Sequence, residues 1–180
     1  KTFLSSENHS FFLKKYQLYI APIADTYCYC LMPNHFHFLI RIKTIKELKI
    51  VFPEAATNET FEKLLSKQFS NFFSSYAQAF NKQQKRKGSL FIKNFKRKKV
   101  IDQKYLRKLV HYIHFKPVAA GMGSNPQKWK YSSYTALISD KPTALQREEV
   151  ISWFEETENF KYFHNQPSLL SEVDVDALFL

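Results

Sequence analysis

The chain has 180 residues and carries 27 Lys and Arg against 16 Asp and Glu, a formal net charge of +11. That length suits one domain with a sizeable core. The charge points to an anionic partner, nucleic acid ahead of an acidic membrane. No apolar run approaches the roughly 18 residues of a membrane span and no signal peptide is visible, so a soluble protein without a membrane partner is expected.

From Ser6 to Ile20, Phe12, Tyr16, Tyr19 and Ile20 recur at helical spacing, with Ser6 or Asn8 able to cap the start and Pro22 to end the helix. The stretch Tyr27 to Ile42, YCYCLMPNHFHFLIRI, reads as a hairpin: two apolar runs joined by the turn pair Pro33-Asn34. Successive strand side chains alternate in direction, so His35 and His37 share a face while Phe36, Phe38, Ile40 and Ile42 share the other. Two imidazoles on one face can hold one metal ion, although such pairs are also common as half-buried, hydrogen-bonded residues. With a two-residue turn, His35 lies opposite Met32 and His37 opposite Cys30. Cys30 is then either a soft ligand or a small buried hydrophobe. Cys28 and Cys30, the only cysteines, are badly placed for a strain-free disulfide, which predicts reduced thiols and a cytoplasmic protein.

Lys43 to Thr60 reads as a short helix and a loop. Phe61 to Phe80 follows the 3.6-residue period through Phe61, Leu64, Leu65, Phe72, Phe73, Tyr76 and Phe80, a long helix expected to pack an aromatic stripe on a sheet. Between Lys82 and Lys108 there are twelve Lys or Arg and a single acid, Asp102. Within Ser89 to Ile101 lysines lie between strand-like apolar ends, and Phe91 and Phe95 interleave with the charges. Lys82, Lys85, Arg86, Lys87, Lys96, Arg97, Lys98 and Lys99 are the candidates for phosphate contact beside bases stacked on aromatic rings.

Asp102 is a suitable N-cap for a helix QKYLRKLVHYIHFK that Pro117, Gly121 and Gly123 should terminate. Leu106, Leu109, Val110 and Ile113 form its core stripe. At about 100° per residue, Tyr112 lies on one flank with Lys116 a turn later, and His114 falls on the other. Trp129 to Leu137 and a helix over Glu148 to Asn159 read as packing elements. The acidic tail SEVDVDALFL is a candidate cover for a basic surface.

Three stretches together suggest a family. LMPNHFHFLI resembles the histidine-hydrophobic-histidine motif of the HUH single-strand nucleases. YIHFKPVAAG resembles a second motif, a tyrosine followed by Ile-His-x-Asn-Pro-Val and a glycine, of the REP-associated tyrosine transposases, relatives of the single-tyrosine transposases of small insertion sequences. KWKYSSY resembles their tryptophan-serine-serine-tyrosine segment. The resemblance covers roughly residues 1 to 140, taken as the catalytic domain, with 141 to 180 as a C-terminal helical and acidic extension.

The resemblance implies an α+β fold with a ferredoxin-like central antiparallel sheet, formed here from Cys28 to Met32, Phe36 to Ile42 and part of Leu90 to Ile101. It also implies a further strand ahead of Lys1. It implies a metal-dependent single-stranded DNA transposase or nuclease, acting as monomer or homodimer on DNA with hairpin structure. His35 and His37 would bind Mg²⁺ or Mn²⁺, and Tyr112 would attack a phosphate to leave a 5′-phosphotyrosine. Lys116 stands where the family has Asn or Gln, whose oxygen supplies a third ligand; an ammonium has no lone pair to offer, so either water fills that place, or Lys116, counted with the DNA-binding residues, stands in for some of the metal's charge by contacting the phosphate, or the site is impaired. The rival reading is a catalytically impaired, domesticated single-stranded nucleic-acid-binding protein. An RNA-binding domain, the third reading, leaves the histidines and the tyrosine unexplained.

Overall fold

A computed structural model describes residues 1–53, 57–92, 95–100, 102, 104–168 and 170. The acidic tail lies outside these residues. Among them are seven α-helices and a two-stranded antiparallel sheet, a mixed α+β architecture. The chain divides into two compact units, Lys1–Asp25 with Ile40–Asn94, and Thr26–Leu39 with Phe95–Leu180. The hairpin contributes its base to the first unit and its tip to the second.

In the first unit α1 (Ser6–Tyr19) is capped by Ser5, whose side chain accepts the Asn8 N–H, and not by the expected Ser6 or Asn8. The long helix α3 (Asn58–Gln83) begins at a Thr57/Thr60 capping box. Its stripe was expected to meet a sheet; instead Phe72 and Tyr76 pack on Phe12 of α1, at 4.8 and 4.9 Å between ring centroids. Phe3 joins them, and the Tyr76 hydroxyl donates to the Thr2 carbonyl at 2.7 Å. Two amphipathic helices with matching aromatic faces satisfy each other without a sheet. Between hairpin and α3 lies α2 (Ile45–Val51), started by a Thr44/Glu47 capping box.

The hairpin consists of β1 (Ala24–Leu31) and β2 (Phe36–Ile42). Met32 N–H donates to the His35 carbonyl at 2.9 Å across Pro33-Asn34, and Tyr29 stacks on Phe38. Both pairs obey one register, which sets Cys30 against His37 and Cys28 against Leu39. No strand forms in the described part of Leu90 to Ile101: residues 95 to 100 have no regular secondary structure. Four successive cations, Lys96 to Lys99, put charge on both faces of any strand there, which a half-buried strand cannot accommodate.

The second edge of β1 is taken by a stretch read from sequence only as packing. Leu31 N–H donates to the Tyr131 carbonyl and Ser133 N–H to the Tyr29 carbonyl, with an antiparallel bridge between Cys30 and Ser132. A parallel bridge joins Thr26 to Leu145 further along the same edge. Trp129 Nε1 donates to the Leu31 carbonyl at 3.0 Å, pinning the segment.

Against the hairpin tip lies α4 (Lys104–Ala119), whose Val110 and Ile113 share one buried cluster with Cys28, Cys30, Met32 and Leu39. Pro117 does not end α4 but lies inside its last turn. So close to the C-terminus a proline forfeits only one helical hydrogen bond. Gly121, at φ +69°, makes the left-handed exit. The expected helix over Glu148 to Asn159 is two helices, α6 (Arg147–Ser152) and α7 (Thr157–His164), separated at Glu155 with φ +72°. The four-residue α5 (Tyr134–Leu137) precedes them.

Candidate active site

His35, His37, Tyr112 and Lys116 come together in the second unit. The alternation of β2 gives His35 and His37 the same face as Leu39, which is buried and anchors that face in the core. Their rings are 5.0 Å apart between centroids. His35 Nδ1 donates to Asn34 Oδ1 at 2.8 Å, because an amide oxygen can only accept. In the neutral ring the lone pair therefore sits on Nε2, the arrangement that orients a metal-binding histidine. His37 Nε2 is closed to solvent, and the His37 ring meets the Tyr112 ring edge-on at 6.2 Å.

Tyr112 is brought to this face because its neighbours Val110 and Ile113 fix the rotation of α4. Tyr112 is 6% exposed and Lys116 8%. The Lys116 ammonium lies 5.0 Å from the Tyr112 ring centroid and donates to Tyr112 Oη at 3.3 Å. Behind them is Cys30, whose thiol burial pushes up to about 12 against the opposing charge of Lys116. Its Sγ lies 3.8 Å from Met32 Sδ. Both cysteines are reduced and buried, so Cys30 behaves as a core residue. Among the described residues, no three His, Cys, Asp or Glu side chains come together to hold a metal ion.

The predicted DNA-binding cations occupy two places. Lys82, Lys85, Arg86 and Lys87 are exposed on the turn that ends α3 in the first unit. Lys85 (φ 50°) and Gly88 (φ 93°) bend that turn, and Asn81 Nδ2 closes it on the Gly88 carbonyl. Lys96, Arg97, Lys98 and Lys99 are exposed along the irregular run 95–100 of the second unit, where the Arg97 guanidinium lies 5.3 Å from the Phe95 ring centroid.

Sequence reasoning missed a buried histidine chain on the other flank of α4. His164 Nδ1 lies 2.8 Å from the Phe160 carbonyl, His114 Nδ1 3.0 Å from His164 Nε2, and His114 Nε2 2.8 Å from Ser133 Oγ. A carbonyl only accepts, so His164 Nδ1 carries the hydrogen and His164 Nε2 must accept. His114 Nδ1 is then the donor, and His114 Nε2 accepts the Ser133 hydroxyl. Ser133 Oγ in turn accepts the Tyr29 N–H at 2.8 Å. Burial holds both imidazoles neutral: it lowers His114 well below its ordinary value, with His164 and His111 adding to the effect, and lowers His164 to about 3. His111, 5.2 Å from the His164 ring, is lowered by burial too and takes the Gln166 carbonyl as partner at 3.1 Å. The signal in the sequence was the pair His111 and His114, three apart beside Val110 and Ile113. Its partner His164 is fifty residues away.

No protein-family model matches the chain, and no curated protein and no solved structure is significantly similar to it.

Proposed function

We propose that the protein is a metal-assisted nuclease and transposase of single-stranded DNA, built on an HUH-like, ferredoxin-related sheet, that cuts and rejoins DNA through a 5′-phosphotyrosine on Tyr112. The observation that carries this reading is the meeting of the Tyr112 ring with the His37 imidazole, more than seventy positions away in the chain, with His35 beside His37. The resemblance of three motifs to the REP-associated tyrosine transposases supports it. So do the exposed cations on the two basic stretches, which suit a polyanion.

The donor set fits a divalent ion only in part. His35 Nε2 and the His37 ring offer two corners of an open shell, and Mn²⁺ or Mg²⁺ completes such shells with water and phosphate oxygens. When bound, the ion supplies Lewis-acid neutralisation of the attacked phosphate. The chain's own part is to present the Tyr112 oxygen to phosphorus and to keep the site partly dry. A phenolate is both nucleophile and leaving group, so the energy of the broken phosphodiester is retained for rejoining.

Labelled single-stranded hairpin DNA incubated with the protein and Mn²⁺ should yield a denaturation-resistant adduct that Tyr112→Phe abolishes. The burial of Tyr112 to 6% exposure favours one rival, a binding protein that keeps the basic surfaces and no longer cuts. Tight binding without adduct in wild type is its result. Binding by the exposed lysines should weaken steeply with salt under either reading.

None of the described helices is long and apolar enough to cross a membrane. The reduced cysteines suit work in the cytoplasm, as monomer or homodimer.

A further inference from the structure

Tyr112 has an ammonium set against its reacting oxygen. Lys116 follows it by one helical turn, its Nζ is 3.3 Å from Tyr112 Oη, and the side chain is buried over the phenol ring. Solvation favours keeping lysine heads in water, and a purely packing position one turn from a core tyrosine is ordinarily filled by an apolar residue. A phosphodiester brought up for in-line attack has its phosphorus within about 3.5 Å of the attacking oxygen. A phosphate that approaches Tyr112 Oη from the side on which Nζ lies brings a non-bridging oxygen within hydrogen-bond reach of that cation.

We infer that Lys116 is a catalytic residue of this site, a fixed cation that orients the Tyr112 oxygen and binds a non-bridging oxygen of the attacked DNA phosphate. This rests on the phosphotyrosine reading above and assigns Lys116 a role of its own within it. In the step, the phenol gives its proton to water and its oxygen lone pair forms the bond to phosphorus. The bond from phosphorus to the 3′ oxygen breaks, and that oxygen keeps the electron pair and takes a proton from water. Lys116 retains its protons throughout. Its attraction for the phosphate does not depend on a bound metal ion, so it is measurable in a chelator.

The test pairs the lysine with the phosphate. Binding of hairpin DNA is measured by fluorescence anisotropy in EDTA, with the attacked phosphate either natural or replaced by an uncharged methylphosphonate. Adduct formation is measured separately on natural DNA with Mn²⁺. Wild type should bind the methylphosphonate about 10-fold more weakly, the scale of one lost charge-assisted hydrogen bond. Lys116→Met should bind both DNAs alike and form adduct about 100-fold more slowly at saturating DNA, with Lys116→Arg recovering part of the rate. Lys116→Gln serves the same comparison should the methionine variant fail to fold. Wild type and Lys116→Met forming adduct at equal rates, or losing equal affinity for the methylphosphonate, would overturn the role of Lys116 and leave the phosphotyrosine reading standing. Absence of any Tyr112 adduct in wild type would overturn both.

Discussion

Acid should unfold the second unit through its histidine chain. His114 and His164 are neutral in the folded protein because burial penalises their charged forms, with values below the ordinary 6.5 of a histidine. The unfolded chain therefore binds more protons as the pH drops, and the stabilisation is complete above pH 6.5 and drains away toward about 3, where His164 itself titrates in place. Each such histidine costs about 1.4 kcal/mol per pH unit below 6.5. For these two, the loss from pH 7.5 to pH 5 is roughly 4 kcal/mol, a large part of the 5 to 15 kcal/mol that typically holds a domain folded, and His111, lowered by burial as well, adds to it in the same direction. The window is clean of Glu47, whose carboxylate Arg41, followed by Thr44, holds down at about 2 and which contributes only in stronger acid. Urea denaturation followed by circular dichroism at several pH values between 7.5 and 5 measures the slope. In His164→Gln the loss should shrink by roughly 2 kcal/mol, since one titrating ring is gone. An identical slope in the variant, or stability that rises on acidification, would refute the assignment of these rings as neutral.

Ser133→Ala removes the acceptor of the Tyr29 amide and the donor to His114 together, and should cost about 1 to 3 kcal/mol, with faster hydrogen exchange at the Tyr29 amide as its local signature. Lys116→Asn exchanges a cation for an amide oxygen beside Tyr112. Mn²⁺ affinity, followed by electron paramagnetic resonance, should tighten roughly tenfold, as removal of ~1.4 kcal/mol of charge repulsion gives; equal affinities would place the ion elsewhere.

Patterns local in sequence translated directly into structure. The period-two alternation around His35 and His37, the turn at Pro33-Asn34 and the helical phase of Tyr112, Lys116 and His114 each need only neighbours to be read. What failed was partner choice. The stripe of α3 signals burial but says nothing of whether α1 or a sheet covers it. Lys96 to Lys99 interrupt an apolar pattern that Val100 and Phe95 otherwise suggest, and charge prevailed over propensity. Ser132 and Ser133 have low strand propensity, and their place beside β1 depends on Tyr29 and Leu31, a hundred residues earlier. His164 carries no local mark of its pairing with His114.

The distance between Tyr29 and Ser133, 104 positions, also sets a delay. A ribosome adding about 5 to 20 residues per second needs roughly 5 to 20 s to make the segment that covers β1. Throughout that interval the amides of Tyr29 and Leu31 and the sulfur-lined apolar run beside them face whatever else is in the cell. The nascent hairpin is a sticky edge awaiting its own downstream chain, and crowded synthesis at high temperature is where this protein should first be lost to aggregates.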